Sequence, residues 1–270
     1  MIDKLKEKCR ALLTSGDIKV VIGYGQDPGA EKPHPVFITE ADDIDRLIMP
    51  ETFTPNLAIY LSRPEVKRLG KPAIVVSDKG ARAATVLMVE AQTQREDVVL
   101  LGVVTGGEDD AMLPTLCDEV FGDAPASTPD AETRYARLTE FMEKSREDRM
   151  AYWQTELKRC IKCYACRQIC PLCYCNRCIV DKNRPTEIST SATLEGNFAW
   201  HIVRAFHLAG RCVGCGECTT TCPAGIDLEL LNLSLARAAE EQFDYRSGTD
   251  AEAEPIIGSY SEGDQETFIG

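Results

Sequence analysis

The stretch CIKCYACRQICPLCYCNRC, residues 160–178, holds seven cysteines in nineteen positions. Its first four cysteines obey the spacing C-x2-C-x2-C-x3-C-P, and the same spacing returns in CVGCGECTTTCP, residues 212–223. The chain has thirteen cysteines, and eleven of them fall between Cys160 and Cys222. Cysteines concentrated in this way, in a chain long enough to bury its own core, favour metal ligation over a disulfide framework.

The repeated spacing is the ligation pattern of two-cluster bacterial ferredoxins. Three closely spaced thiolates bind three corners of a 4Fe–4S cubane, and the fourth ligand comes from the other motif. The predicted ligands of the first cluster are Cys160, Cys163, Cys166 and Cys222. Those of the second are Cys212, Cys215, Cys218 and Cys170. Zinc is less favoured at these two sites, because structural zinc sites combine pairs of C-x2-C motifs.

Three cysteines of the opening stretch, Cys173, Cys175 and Cys178, belong to neither motif. They could bind a third metal, either zinc or another cluster, with Cys9, Cys117 or a partner subunit as the fourth ligand. They could instead be inert thiols, or Cys173 or Cys175 could replace Cys170 in the second cluster. The sequence favours a metal role by a small margin.

The charges are unevenly distributed. The formal net charge is -13, yet residues 158–211 contain nine Lys or Arg against three Asp or Glu. Cations near thiolate-ligated clusters favour the reduced state. Nucleic acid is not an expected partner of so acidic a protein, because phosphate binding needs a cationic face. We find no signal-peptide pattern and no apolar stretch of membrane-spanning length, so we expect a soluble, cytoplasmic protein.

Residues 1–125 alternate between helical and strand patterns, which predicts an α/β domain with a mostly parallel sheet. Buried strands are predicted at IKVVIGYG (18–25), KPAIVVSD (71–78) and EDVVLLGVVTGG (96–107). Helices are predicted over residues 2–14, 42–48, 56–62 and 81–94.

The rest of the chain divides into three predicted parts. Residues 126–157 are a linker and a charged helix, 158–246 an α+β two-cluster ferredoxin-like domain, and 247–270 an acidic arm. Isolated apolar residues of the arm could contact a partner; they are Ile256, Ile257, Phe268 and Ile269. A helix over residues 193–211 carries His201 and His207, which we expect to be packed rather than to ligate metal or relay protons.

Two glycine-rich loops follow predicted strands. GYGQDPG offers Gly23, Gly25 and Gly29 as a candidate nucleotide or flavin loop, although Pro28 stands where a helix should open. In VVTGGEDD (103–110), the acidic residues would repel a phosphate. Ordinary loop geometry is the favoured explanation for both, and FAD is a less favoured cofactor.

The N-terminal stretches VIGYG, PVFITEADDIDRLI and NLAIYL resemble the beta subunits of deazaflavin-reducing hydrogenases and formate dehydrogenases. The two cysteine stretches are similar to iron–sulfur proteins of that family, found with heterodisulfide-reductase-like flavoproteins in anaerobes. The resemblance implies redox subunits as partners, and FAD with deazaflavin reduction for the family. This chain has Ala81 and Thr105 near positions where the family's cysteines are expected, which argues against metal or flavin in the first domain.

Two principal hypotheses follow. The first is an electron-transfer subunit that relays single electrons through two clusters between a flavoprotein, hydrogenase or formate-dehydrogenase-type partner and another redox subunit. The alternative is a flavin-dependent beta subunit that itself exchanges hydride with a deazaflavin or nicotinamide cofactor. A stand-alone ferredoxin-like carrier is disfavoured, because a free carrier does not need the large first domain.

Overall fold

The computed structural model describes residues 1–180 and 185–257. Its sheet has the strand order β2-β1-β3-β4-β5, with β1 and β2 antiparallel and the other neighbours parallel. The strands are β1 Val20–Gly25, β2 His34–Ile38, β3 Pro72–Val76, β4 Val99–Val103 and β5 Glu119–Phe121. The prediction of a mostly parallel sheet is confirmed, and the edge strands β2 and β5 are additions to the three predicted strands.

The described residues form eleven α-helices, and none of them combines the length and apolar character needed to cross a membrane. They are α1 Ile2–Ser15, α2 Pro64–Lys67, α3 Asp78–Val89, α4 Leu113–Leu116, α5 Ala131–Arg134, α6 Ala136–Met142, α7 Arg146–Lys158, α8 Ala165–Gln168, α9 Leu194–His207, α10 Glu217–Thr220 and α11 Leu228–Phe243. The helices predicted at 42–48 and 56–62 are 3-10 helices, Ala41–Arg46 and Leu57–Ser62.

The central strands are buried on both faces, as their continuous apolar sequences require. Every residue of β1 and β3 is buried. Helix α1 covers one face with Leu5 and Cys9. Helix α3 covers the other face, and Ser77 caps its N-terminus by accepting the backbone N–H of Gly80 at its hydroxyl.

The cysteine region corrects one prediction. We expected an α+β ferredoxin-like domain, but residues 158–180 and 185–246 form helices and loops with no strand described. The segments next to the motifs have helical patterns, so α7, α9 and α11 surround the cysteine loops. A cluster around Leu157, Trp200 and Leu228 unites these three helices.

The cysteine loops pack directly on the sheet domain. Leu172, Leu208 and Val213 join the core formed by the sheet and α3, and Cys170 and Cys212 lie against it. Helices α5–α7 belong with this second half, because Tyr135, Leu138 and Phe141 pack on Leu230 of α11. The predicted domain boundaries remain a prediction, and the two halves share an extensive interface.

A buried ion network ties the segment after α11 to the sheet domain. Asp109 is fully buried and accepts hydrogen bonds from Lys79 at 3.0 Å, Arg82 at 2.6 Å, and Arg246. Arg82 also donates two hydrogen bonds to the carbonyl oxygen of Ser247, at 2.6 and 3.1 Å. The start of the predicted acidic arm therefore contacts its own chain.

The apolar residues of the predicted arm fall into two groups. Ile256 lies against Gly210, just before the second motif, and Ile257 is 46% exposed. Phe268 and Ile269 lie outside the described residues. The contact that we expected these residues to make with a partner stays a prediction.

Replacing Asp109 with asparagine is expected to lower the free energy of unfolding by about 3–5 kcal/mol, because it leaves buried cations without their counter-charge. Burial opposes the charge of Asp109, but Arg82, Lys79 and Arg246 outweigh it and lower the pKa of this carboxyl. The carboxylate therefore stabilises the fold at neutral pH, and its contribution disappears only as the pH falls below about 4. Anaerobic urea unfolding at pH 7 measures the effect.

The matched control is Asp45→Asn. The side chain of Asp45 is 78% exposed and lies 3.6 Å from both Lys6 and Arg10. Exposed pairs of this kind contribute less than about 1 kcal/mol. Equal losses in the two variants would contradict a structural role for the buried network.

Candidate iron–sulfur centres

The structure brings the four predicted ligands of the first cluster to one cavity. This cavity holds about 360 Å3 free of protein atoms, partly open to solvent. Its cysteines are Cys160, Cys163, Cys166 and Cys222. The last belongs to the second motif in sequence, so the two motifs approach each other as crossed ligation requires. Cys166 is buried and Cys163 is exposed, which leaves one edge of the site accessible.

Both motifs have the same backbone conformation. The third and fifth residues of each motif have positive φ: Lys162 (52°) and Tyr164 (60°) in the first, Gly214 (66°) and Gly216 (72°) in the second. Glycine adopts this conformation freely, whereas a residue with a Cβ pays about 1–2 kcal/mol. Contacts hold the first motif in this shape: the Lys162 ammonium donates to the carbonyl of Ser189, and Tyr164 packs edge-on against Trp200 at 5.4 Å.

Hydrogen-bond donors point at the cysteine sulfurs. The N–H of Lys162 lies 3.4 Å from Cys160 Sγ, and the N–H of Ile226 lies 3.5 Å from Cys222 Sγ. In the second motif, Gly214 and Glu217 donate to Cys212 and Cys215 through their backbone N–H groups. Such donors stabilise the negative charge of cluster-bound thiolates and tune the reduction potential. This donor set fits iron–sulfur clusters.

His201 is also close to a ligand. It is 2% exposed, and its Nε2 lies 3.3 Å from Cys160 Sγ. Burial, followed by the charges of Arg204 and Lys162, lowers the pKa of His201 to about 3. The imidazole is therefore neutral and can donate one N–H to the sulfur. The sequence predicted a packed histidine, and the structure places it against a predicted ligand.

Three of the second set of predicted ligands, Cys170, Cys212 and Cys215, lie against the core of the sheet domain. The fourth, Cys218, packs in the helical cluster around Leu157, Trp200 and Leu228. Burial is the main cause of raised pKa values in Cys212, Cys215 and Cys218, with that of Cys218 at about 12. The pKa of Cys166, in the first set, is raised to about 11 for the same reason. Because thiolates are the form that binds iron, metal binding must displace these protons.

Arg204 on α9 lies between the two sets and was not identified from the sequence. It is 5% exposed and donates to the carbonyl of Cys166 at 3.0 Å. Burial opposes its charge, but Cys173, Cys170, Cys166 and Cys218 outweigh that effect and raise the pKa of Arg204. The sequence signal for Arg204 was its helical spacing from Asn197 and His201, which places the three side chains on one face of α9. Asn197 on this face also contacts the first motif, because it donates to the carbonyls of Leu157 and Cys160.

The three extra cysteines, Cys173, Cys175 and Cys178, line a cavity of their own. Its other lining residues include Leu172, Arg204 and His207. Cys173 also hydrogen-bonds to Cys170, so a ligand role for Cys173 in the second cluster stays open. Cys9 lies on the buried face of α1, and Cys117 packs against Gly102 of β4. Among the described residues, no three His, Cys, Asp or Glu side chains are placed around a single metal-ion position.

The candidate glycine loops have structural explanations. Gly23 and Gly25 lie within β1, where an added Cβ would come within 2.2 Å of Leu47 and 2.5 Å of Val36. Gly29 has a φ of 84° and nothing near an added Cβ. Close packing therefore explains two of these three glycines.

In the second loop, one carboxylate oxygen of Asp110 accepts the backbone N–H groups of three successive residues, at 3.0, 2.7 and 2.9 Å. They are Thr105, Gly106 and Gly107. The donors that could have held a phosphate are thus bound to the protein's own carboxylate.

The comparisons with known proteins agree with this chemistry. Residues 159–227 match the sequence family described as a 4Fe-4S dicluster domain. The F420-dependent formate dehydrogenase subunit beta of Methanocaldococcus jannaschii is 30% identical over 106 residues, and the F420-dependent formate dehydrogenase 1 subunit beta of Methanococcus maripaludis is 32% identical over 106 residues. Each match covers 39% of this chain but only 27% of the relative. The chain is an iron–sulfur protein that resembles these beta subunits over part of its length.

Proposed function

We propose that the chain is an electron-transfer subunit of a multisubunit oxidoreductase, with two 4Fe–4S clusters bound by the crossed cysteine sets. The observation that carries the proposal is the cavity where Cys160, Cys163 and Cys166 meet Cys222 of the other motif. Each cluster, when bound, accepts and returns one electron. The surrounding N–H donors and the buried Arg204 stabilise the added negative charge.

The two sites differ in exposure, which defines the two ends of the proposed electron path. Cys163 is exposed, and its neighbour Ile161 is 65% exposed, so the first site reaches the surface. Cys212 and Cys215 instead lie against the core of the sheet domain. Electrons therefore pass between a partner at the exposed edge and a second centre on the side of the sheet domain. Because the chain resembles formate dehydrogenase subunits, we propose redox proteins as its partners.

A second candidate function rests on a separate cleft of about 1050 Å3, partly open to solvent. Its lining includes Cys212, Gly214 and five basic side chains, which are Lys79, Arg82, Arg134, Arg137 and Arg246. An anionic cofactor such as a flavin in this cleft would lie beside the second cluster. The chain would then be a flavin-dependent beta subunit that exchanges hydride with a soluble cofactor. All five of these cations already pair with carboxylates, which favours the electron-transfer subunit.

Anaerobic purification followed by iron, zinc and flavin analysis tests the choice. We expect at least eight irons per chain and no stoichiometric flavin, because each cubane holds four irons. A Cys9→Ala control, outside both motifs, should keep the same iron content. Stoichiometric flavin would replace this proposal with the flavin-dependent alternative, and fewer than eight irons in fresh protein would overturn the two-cluster assignment.

A further inference from the structure

The extra cysteines share their cavity with a concentration of positive charge. This cavity is partly open to solvent, as the first cluster site is. Among the described residues its charged lining consists of Arg167, Arg204 and Arg211, and Arg211 is paired with Glu90. A thiolate-ligated iron–sulfur cluster is anionic, so this wall has the charge that such a cluster requires.

Arg204 is the inner wall of this cavity. Its guanidinium is buried, and its Nε has no hydrogen-bond partner among the described residues. A buried donor without an acceptor costs free energy unless a bound group satisfies it. A cluster sulfide or thiolate in the cavity would supply that acceptor.

The loop that carries the three cysteines is fixed in place by the sheet domain. Glu90, after α3, accepts two hydrogen bonds from Arg211 at 2.7 and 2.8 Å and one from Tyr174 at 2.8 Å. Arg167 donates to the carbonyl of Cys175 at 3.0 Å. These contacts hold the loop against the end of α3 and against α8.

We propose that Cys173, Cys175 and Cys178 bind a third iron–sulfur cluster. Three thiolates would bind three iron positions, and His207, which lines the same cavity, is the candidate fourth ligand. Each ligating thiol releases its proton to solvent. Because Cys173 hydrogen-bonds to Cys170, the third cluster lies next to the second and lengthens the relay.

The test compares the parent chain with the double variant Cys175→Ala/Cys178→Ala after anaerobic reconstitution with ferric iron, sulfide and a thiol reductant. This variant leaves Cys170 and Cys173 intact, so the second cluster keeps its fourth ligand if either of these two cysteines supplies it. We expect about twelve irons in the parent and about eight in the variant, with one fewer reduced-cluster signal by electron paramagnetic resonance. Cys117→Ala is the matched control and should retain about twelve.

Two results would overturn this inference without affecting the two-cluster function. The first is about eight irons in both the parent and the double variant. The second is a single zinc ion in the parent that the double variant loses. By contrast, a parent with fewer than eight irons would contradict the two-cluster function itself. His207→Ala provides a further readout: we expect a changed resonance signal of the third cluster and unchanged signals from the other two.

Discussion

Cys222→Ala is expected to remove or degrade the cluster bound by the first motif, although Cys222 ends the second motif. The structure places Cys222 in the same cavity as Cys160, Cys163 and Cys166. The N–H of Ile226, four residues later, points at its sulfur. Loss of one of four thiolates leaves one iron without its ligand, so that cluster should lose iron or disappear. The expected loss is up to about four irons per chain.

The measurement compares three single variants after anaerobic purification. Electron paramagnetic resonance of reduced Cys222→Ala should match that of Cys163→Ala, because both affect the first cluster. Cys215→Ala should remove a different signal. Uncrossed ligation would give the opposite grouping, with Cys222→Ala matching Cys215→Ala, and would reject the assignment of both fourth ligands.

The same comparison decides which cysteine is the fourth ligand of the second cluster. Cys170 follows the motif spacing, while Cys173 hydrogen-bonds to it and is the nearest alternative. If Cys170 is the ligand, Cys170→Ala should match Cys215→Ala. If the spectrum of Cys173→Ala matches that of Cys215→Ala instead, Cys173 is the fourth ligand of the second cluster. The ligands of the third site would then have to be assigned again.

The sequence predicted the cysteine chemistry well because the spacing itself expresses the ligand geometry. Three thiolates that bind one cubane recur at every third residue, so the spacing can be recognised without knowledge of the fold. The left-handed residues of the first motif were harder to predict. Gly214 and Gly216 are a sequence signal for positive φ. Lys162 and Tyr164 give no such signal, and in the fold their side chains contact Ser189 and Trp200.

Contacts between distant segments explain what the sequence missed. The α+β prediction for the second half followed from compact ferredoxins, whereas the helical patterns beside the motifs decided the actual architecture. Arg204 resembled any surface arginine of a basic segment, and only the packing of α9 between the cysteine loops buries it. Likewise, the glycines of β1 resembled a nucleotide loop until the positions of Leu47 and Val36 were known.

Arg204→Leu is expected to lower the reduction potentials of the clusters on both sides of α9, by on the order of 100 mV. A unit charge about 4–8 Å away contributes roughly 2–4 kcal/mol at an effective dielectric constant near 20. For one electron, about 1.4 kcal/mol corresponds to about 59 mV, which places the shift near this size. The sign follows because reduction adds negative charge, and the arginine stabilises that charge.

A purely structural role for Arg204 predicts a different result. Arg204 donates to the carbonyl of Cys166, so its loss could also loosen the first motif without a direct electrostatic effect. Arg204→Lys keeps the charge but not the planar donor geometry, and should recover most of the potential while leaving some structural loss. Arg237→Leu, on the exposed side of α11, is the matched control and should shift neither potential.

Redox titrations of the three variants, followed by electron paramagnetic resonance, separate the two roles. An electrostatic role requires both potentials to fall in Arg204→Leu and to return towards the parent values in Arg204→Lys. Loss of iron in both variants, with unchanged potentials in the clusters that remain, would show that Arg204 only positions the first motif. Shifts below about 30 mV, a roughly threefold change in the reduction equilibrium, would contradict the electrostatic role. A fall confined to one cluster would contradict the prediction that Arg204 acts on the clusters on both sides of α9.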